Sequence, residues 1–221
     1  MNEFQRISIY HPPGIAIWES ILKGVFQFAR PDLPWLIATN TGADVERMRK
    51  WEPVGAIVQC ASEKEAETFN QLGIPIVNVA REASELWFPS VQIDDVEVGR
   101  MAAKYFLERG FESLACYRVN NRDFMTARLE GFSEIASQQG VPVSEFQVTR
   151  FQSDQLFLAP DSELVSWLNG LPKPTGLLAA TDALGLAVLS ACRSADIGIP
   201  DDISVLGVSN NELLCHLEYP S

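Results

Sequence analysis

The sequence predicts an α/β fold with parallel sheets. Three observations carry that expectation. Short, β-prone apolar segments alternate strictly with stretches of helical periodicity, the alternation starts afresh near Gly110-Phe111, and a chain of 221 residues with 47% hydrophobic content can bury a sizeable core. Strict alternation implies right-handed crossovers and sheets covered on both faces. The two series suggest two similar lobes, residues 1–110 and 111–215, with 216–221 beginning a return crossover. Periodicity alone leaves a single wide sheet open.

The first strand, residues 6–10, breaks at His11-Pro12-Pro13-Gly14, and a helical pattern follows over about 17–30. A strand at 35–38, a helix near 44–51 and a strand at 55–58 come next. A helix over about 63–72 leads through Gly73 and Pro75 to a strand at 76–79. After a loop holding Trp87 and Pro89, a short strand at 91–93 runs into Asp94-Asp95; Asp95 is a natural N-cap for a helix that ends at Arg109-Gly110. The second series has strands at 114–117, 146–149, 176–180 and 204–208, with helices near 124–139, 155–168 and 183–195.

Composition excludes several classes of function. Seventeen Lys and Arg against 29 Asp and Glu give a net charge of −12, which repels a phosphate backbone, so these residues alone make no DNA-binding surface. The first residues lack a basic segment followed by an apolar stretch, and no run of about 18 apolar residues occurs, so a cytoplasmic location without membrane association is expected. Cys60, Cys116, Cys192 and Cys215 lie far apart without CxxC spacing, which reads as reduced thiols and no metal site. There is no GxGxxG after the first strand, no GxxxxGK[ST] and no GxSxG, and neither His11 nor His216 has a nucleophile beside it. The expectation is a protein that is not an enzyme and carries no cofactor.

In open parallel sheets, ligands bind outside the carboxyl ends of the strands. The residues there are Tyr10 and His11, Gln59, Ala80-Arg81, Asp94-Asp95, Arg118 to Asn121, Thr181-Asp182 and Ser209-Asn210-Asn211-Glu212, with Trp18 and Phe124 close by. Carboxylates, amides and arginines pair with hydroxyls, and an aromatic ring packs on the CH face of a sugar. A polyhydroxyl ligand therefore suits the set. The alternative is that Asp95, Asp182 and Asn210 only cap the helices that follow them.

Several segments together resemble the sugar-binding domain of the lactose and galactose repressor superfamily, most of all the xylose-responsive branch of the AraC-type regulators. They are Leu22-Lys23-Gly24-Val25, Gly73-Ile74-Pro75-Ile76-Val77-Asn78-Val79, Val91-Gln92-Ile93-Asp94-Asp95 through Gly99, Arg128-Leu129-Glu130-Gly131-Phe132, Thr181-Asp182-Ala183, and the run from Ile199-Pro200-Asp201 to Leu214-Cys215. The resemblance spans nearly the whole chain. It implies two Rossmann-like lobes of the periplasmic-binding-protein type around a cleft, a monosaccharide effector bound there, a homodimer, and DNA binding through a separate helix-turn-helix domain. It assigns ligand-binding roles to Phe124, Arg128 and Asp182, and the strand-end positions add Trp18, Arg81, Ser209 and Asn210 to the candidate ligand-binding residues. Arg128 would reach the cleft and Phe124 would stack; a surface ion pair of Arg128 with Glu130 or a neighbour is the alternative. A free-standing solute-binding protein of a transporter would use the same fold.

Two departures qualify the resemblance. Where the family has an aspartate after Gly-Val, this chain has Ser209, which should weaken or redirect sugar recognition. The chain also stops at Glu218-Tyr219-Pro220-Ser221, about where the family's chain would cross back to the first lobe, so a truncated form lacking the last strands and the DNA-binding helices is expected.

Overall fold

The computed structural model describes residues 4–12, 17–29, 34–40, 45–60, 62–79, 88–120, 122–151 and 161–216. The chain divides into two compact units, Met1–Ile93 and Asp94–Ser221. Each is built on a four-stranded parallel sheet of the same strand order.

In the first unit the elements are β1 (Gln5–Tyr10), α1 (Ile17–Phe28), β2 (Trp35–Asn40), α2 (Val45–Lys50), β3 (Gly55–Val58), α3 (Glu63–Asn70) and β4 (Ile76–Asn78). The sheet order is β2-β1-β3-β4. Its core gathers Tyr10, Met48, Val58, Phe69 and Ile76, with the Tyr10 and Phe69 rings 4.9 Å apart. The amide of Asn78, 1% exposed, accepts from the Cys60 N–H at 3.0 Å and donates to the Cys60 carbonyl at 3.2 Å. That bracket satisfies both backbone groups where the chain leaves β3, a need that burial imposes. The short strand expected at 91–93 is absent: only Ser90 forms a bridge, to Asn78, and Val91 and Ile93 are exposed. β4 ends at Asn78, so the following residues have no ladder to join.

The second unit begins with a helix. Its elements are α4 (Asp95–Leu107), β5 (Leu114–Val119), α5 (Asp123–Gln138), β6 (Val143–Val148), α6 (Ser162–Gly170), β7 (Thr175–Ala179), α7 (Asp182–Ser194), β8 (Ile203–Leu206) and α8 (Glu212–Cys215), in sheet order β6-β5-β7-β8. Period-two alternation divides the strands between two cores. Ala115, Tyr117, Leu177 and Ala179 face α6 and α7, whereas Leu114, Cys116 and Leu178 face Phe106 and Phe132 of α4 and α5. Every residue of β7 is buried, as a central strand requires. The part of the expected helix 155–168 that falls on 155–160 lies outside the described residues; α6 itself starts at Ser162, after the N-cap Asp161.

The lobe boundary was expected after Gly110, but the division falls at Ile93/Asp94, because α4 packs on α5. Two glycines explain how closely. A Cβ on Gly99 would overlap the Arg128 carbonyl oxygen and come within 2.8 Å of the Phe132 nitrogen. One on Gly131 would overlap the Val96 carbonyl oxygen and approach the Arg100 nitrogen to 3.1 Å. The two backbones therefore touch where these glycines cross.

Candidate functional site

The carboxyl ends of β5, β7 and β8 carry a connected polar group in the second unit. Asp95, Gly99, Arg128 and Gly131 fall at i, i+4 and i, i+3 spacings on their helices, so the crossing that brings the glycines together also brings Asp95 to Arg128. Arg128 is 4% exposed, and its guanidinium donates from Nε to Asp95 Oδ1 at 2.9 Å, with Nη2 of the same group 2.8 Å from that oxygen. Its Nη1 donates to the carbonyl of Ala180, the residue after β7. The charge also lies 5.0 Å from the centre of the Phe124 ring, one turn earlier on α5. Arg128 is thus buried and paired with Asp95; the alternative partner, Glu130, is two positions on and faces elsewhere.

Asp182 follows β7 as the first residue of α7, and it is half-buried. Its Oδ2 accepts from the Asn211 N–H at 2.7 Å, and its own N–H donates to Val208 O at 3.1 Å, which ties it to the turn after β8. Burial raises the Asp182 carboxyl above its ordinary range, offset in part by the Asn211 N–H and the Arg128 charge. In that turn Ser209 and Asn210 are exposed, and both hold positive φ, 113° and 51°. A serine at such an angle is strained, and strain of this kind gathers at functional sites.

The capping alternative fails at all three positions, each time because a neighbour caps. Asp94, not Asp95, accepts from the Glu97 N–H; Thr181, not Asp182, accepts from Leu184; Asn211, not Asn210, accepts from Leu214. Asp95 and Asp182 are left to their own contacts. Asp95 was missing from the expected ligand-binding set. The signal that could have found it is its helical spacing of four residues to Gly99, beside the spacing of three from Arg128 to Gly131.

The other expected residues lie elsewhere. Trp18 is 2% exposed in the first unit; its indole N–H donates to Gln59 Oε1, and its ring stacks on His11 at 5.1 Å. Arg81 falls outside the described residues. Arg118 lies within β5 and pairs across the sheet, donating to Glu145 at 2.6 Å and Gln147 at 3.0 Å. No group of three His, Cys, Asp or Glu suited to a metal occurs among the described residues. Burial pushes the Cys116 thiol up to about 12 and the Cys192 thiol up to about 11, so neither supplies a thiolate nucleophile at neutral pH. No helix among the described residues is long and apolar enough to cross a membrane.

Because its ionisation is disfavoured in the folded chain, Asp182 contributes stability below the carboxylate range that is lost as pH rises through its raised folded value. Asp182→Asn keeps an oxygen acceptor for Asn211 and removes that penalty. The variant is expected to melt above wild type at pH 7, with the difference closing as the pH falls through the carboxylate range. Thermal denaturation at several pH values checks it; a variant that melts below wild type at pH 7 refutes the assignment.

Two α/β units of identical strand order, with polar residues collected at the strand ends of the second, define the periplasmic-binding class of ligand-binding fold. The family model of the periplasmic binding protein-like domain matches residues 103–221, and the chain belongs to that family, with relatives among transcription regulators. The chain is 29% identical over 133 residues to the xylose operon regulatory protein of Haemophilus influenzae, covering 59% of this chain and 34% of that protein. It is 30% identical over 165 residues to the HTH-type transcriptional regulator DegA of Bacillus subtilis, covering 73% of this chain and 45% of that one. It thus spans a third to a half of the length of these relatives. The crystal structure of a LacI family transcriptional regulator from Enterococcus faecium with bound ribose shares the fold, with a TM-score of 0.73 at 18% identity over 98% of this chain and 81% of that one.

Proposed function

We propose that this chain is the effector-binding domain of a bacterial transcription regulator, that its effector is a monosaccharide or similar polyol, and that the effector contacts the strand ends of the second unit. The observation that carries the reading is the junction of Phe124, Arg128 and Asp182 through Ala180 and the β8 turn. A ring, a fixed guanidinium and a half-buried carboxylate are the groups that recognise CH faces and vicinal hydroxyls. The carboxylate is also held at a stability penalty, which suits a binding role better than a structural one.

The family supports a regulator over an enzyme, and the names of the relatives support control of transcription. In this reading DNA is bound by a separate helix-turn-helix domain, the intact protein is a cytoplasmic homodimer, and the effector alters DNA affinity by linkage. The xylose-responsive AraC-type branch belongs to the same proposal, with Ser209 pointing to a ligand other than the usual one.

A thermal-shift screen with pentoses and hexoses tests it. A sugar present at one hundred times its dissociation constant should stabilise the native state by about 2.7 kcal/mol. Asp182→Ala should remove that shift while keeping a cooperative melt. Normal binding by Asp182→Ala would place the site elsewhere, and turnover of a sugar by the purified protein would overturn the regulator reading.

A further inference from the structure

Among the described residues, the strand ends of the second unit hold one buried cation, Arg128, and its charge is already answered. Asp95 and Arg128 have side chains 5% exposed each, and the guanidinium directs three of its five N–H donors at these partners, two at Asp95 and one at Ala180. Asp182 adds a second carboxylate close enough to feel the Arg128 charge. One cation therefore stands against two carboxylates.

The helix N-termini at this end offer no compensation. Such termini attract anions through unpaired N–H groups and the helix dipole. Here α4 carries Asp95 and Glu97 in its first turn behind the Asp94 cap, α5 carries Asp123 behind an exposed Arg122, α7 carries Asp182 behind Thr181, and α8 carries Glu212 behind Asn211. A phosphate or carboxylate arriving at these ends meets acidic side chains at each one.

We infer that Asp95 is a specificity-determining residue, which compensates the buried Arg128 charge and so restricts the site to uncharged polyhydroxyl ligands, excluding phosphorylated and carboxylated sugars. Asp95 acts through Arg128 and is a positioning residue as well. It fixes the guanidinium plane while lowering the attraction that a bare arginine would exert on an anion. A hydroxyl ligand loses little from this compensation, because it needs oriented donors and acceptors and no net field. An anion loses the interaction that would offset its desolvation.

The inference rests on the effector-binding reading above, and the test separates the two. Wild type is titrated with D-ribose, D-xylose and D-glucose, and with D-ribose 5-phosphate, D-xylonate and D-glucose 6-phosphate, at constant ionic strength, with thermal shift and calorimetry as readouts. At least one uncharged sugar should bind and its charged counterpart should bind at least tenfold more weakly. In Asp95→Asn that ratio should fall at least tenfold, whereas Asp95→Glu should retain it. Asp95→Ser provides a second neutral replacement should the asparagine variant not fold. Stronger binding of a charged sugar to wild type overturns the inference and leaves the effector-binding reading standing. An unchanged ratio in a folded neutral variant does the same. Binding of none of the six removes the effector-binding reading and the inference with it.

Discussion

Gly131→Ala and Gly99→Ala are each expected to lose about 3 kcal/mol of stability, at the top of the range typical of added methyl groups in a core because the obstacle is backbone. The atoms that an added Cβ would meet are the carbonyl of Val96 for Gly131 and that of Arg128 for Gly99. A side chain can change rotamer, but a carbonyl inside a helix moves only with its helix. Alanine is the better helix former by roughly 1 kcal/mol, which offsets part of the loss. The two sites lie on one crossing, so their effects should not add: once α4 and α5 have separated for the first methyl, the second meets less resistance. Chemical denaturation of both single variants and the double variant measures this. A loss below about 1 kcal/mol in each single variant would show that the helices do not touch there. The separation also draws Asp95 away from Arg128, so any ligand affinity should fall with the stability.

This crossing shows what the sequence disclosed and what it withheld. The strands of the second unit were legible because they are short apolar runs in a period of two, and all but one were placed within two residues. The exception is the start of β6, at Val143, where an edge strand carries Ser144 and Glu145 and loses its apolar signature; its Glu145 pairs with Arg118. The strand expected at 91–93 had the right composition, but pairing depends on a partner, and β4 is only three residues long. The division at Ile93 was hidden for a similar reason. Whether α4 joins the lobe before it or after it depends on its close packing against α5 at Gly99 and Gly131, which neighbouring residues do not announce.

At the site, the residue types were legible and their tasks were not. Asp94-Asp95, Thr181-Asp182 and Asn210-Asn211 each offer two residues able to cap a helix, and composition cannot say which one does. Only the backbone angle at the helix start decides, and it leaves Asp95 and Asp182 available for other contacts. The surface pairing of Arg128 with Glu130 could have been set aside from sequence, since residues two apart on a helix do not face each other. Trp18 was a fair candidate for a stacking face by position, yet its ring already rests on His11.

Arg128→Ala is expected to be both the most destabilising single change at the site and one that abolishes effector binding. Removing the guanidinium strands the Asp95 carboxylate, 4% exposed at residue level, and orphans the Ala180 carbonyl. Breaking one half of a buried ion pair costs about 3–5 kcal/mol, because the remaining charge loses its counter-charge in a place that water does not reach. Replacing both halves with apolar groups avoids that penalty, so Asp95→Leu with Arg128→Met should recover much of the stability lost by Arg128→Ala. Affinity should not return with it, since the double variant lacks the guanidinium donors. A cycle of single and double variants, read by denaturation and by sugar titration, separates the two roles. Recovery of stability without recovery of binding is the expected pattern. If Arg128→Ala instead melts within 1 kcal/mol of wild type, the pair is not buried as described, and the charge compensation assigned to Asp95 falls with it.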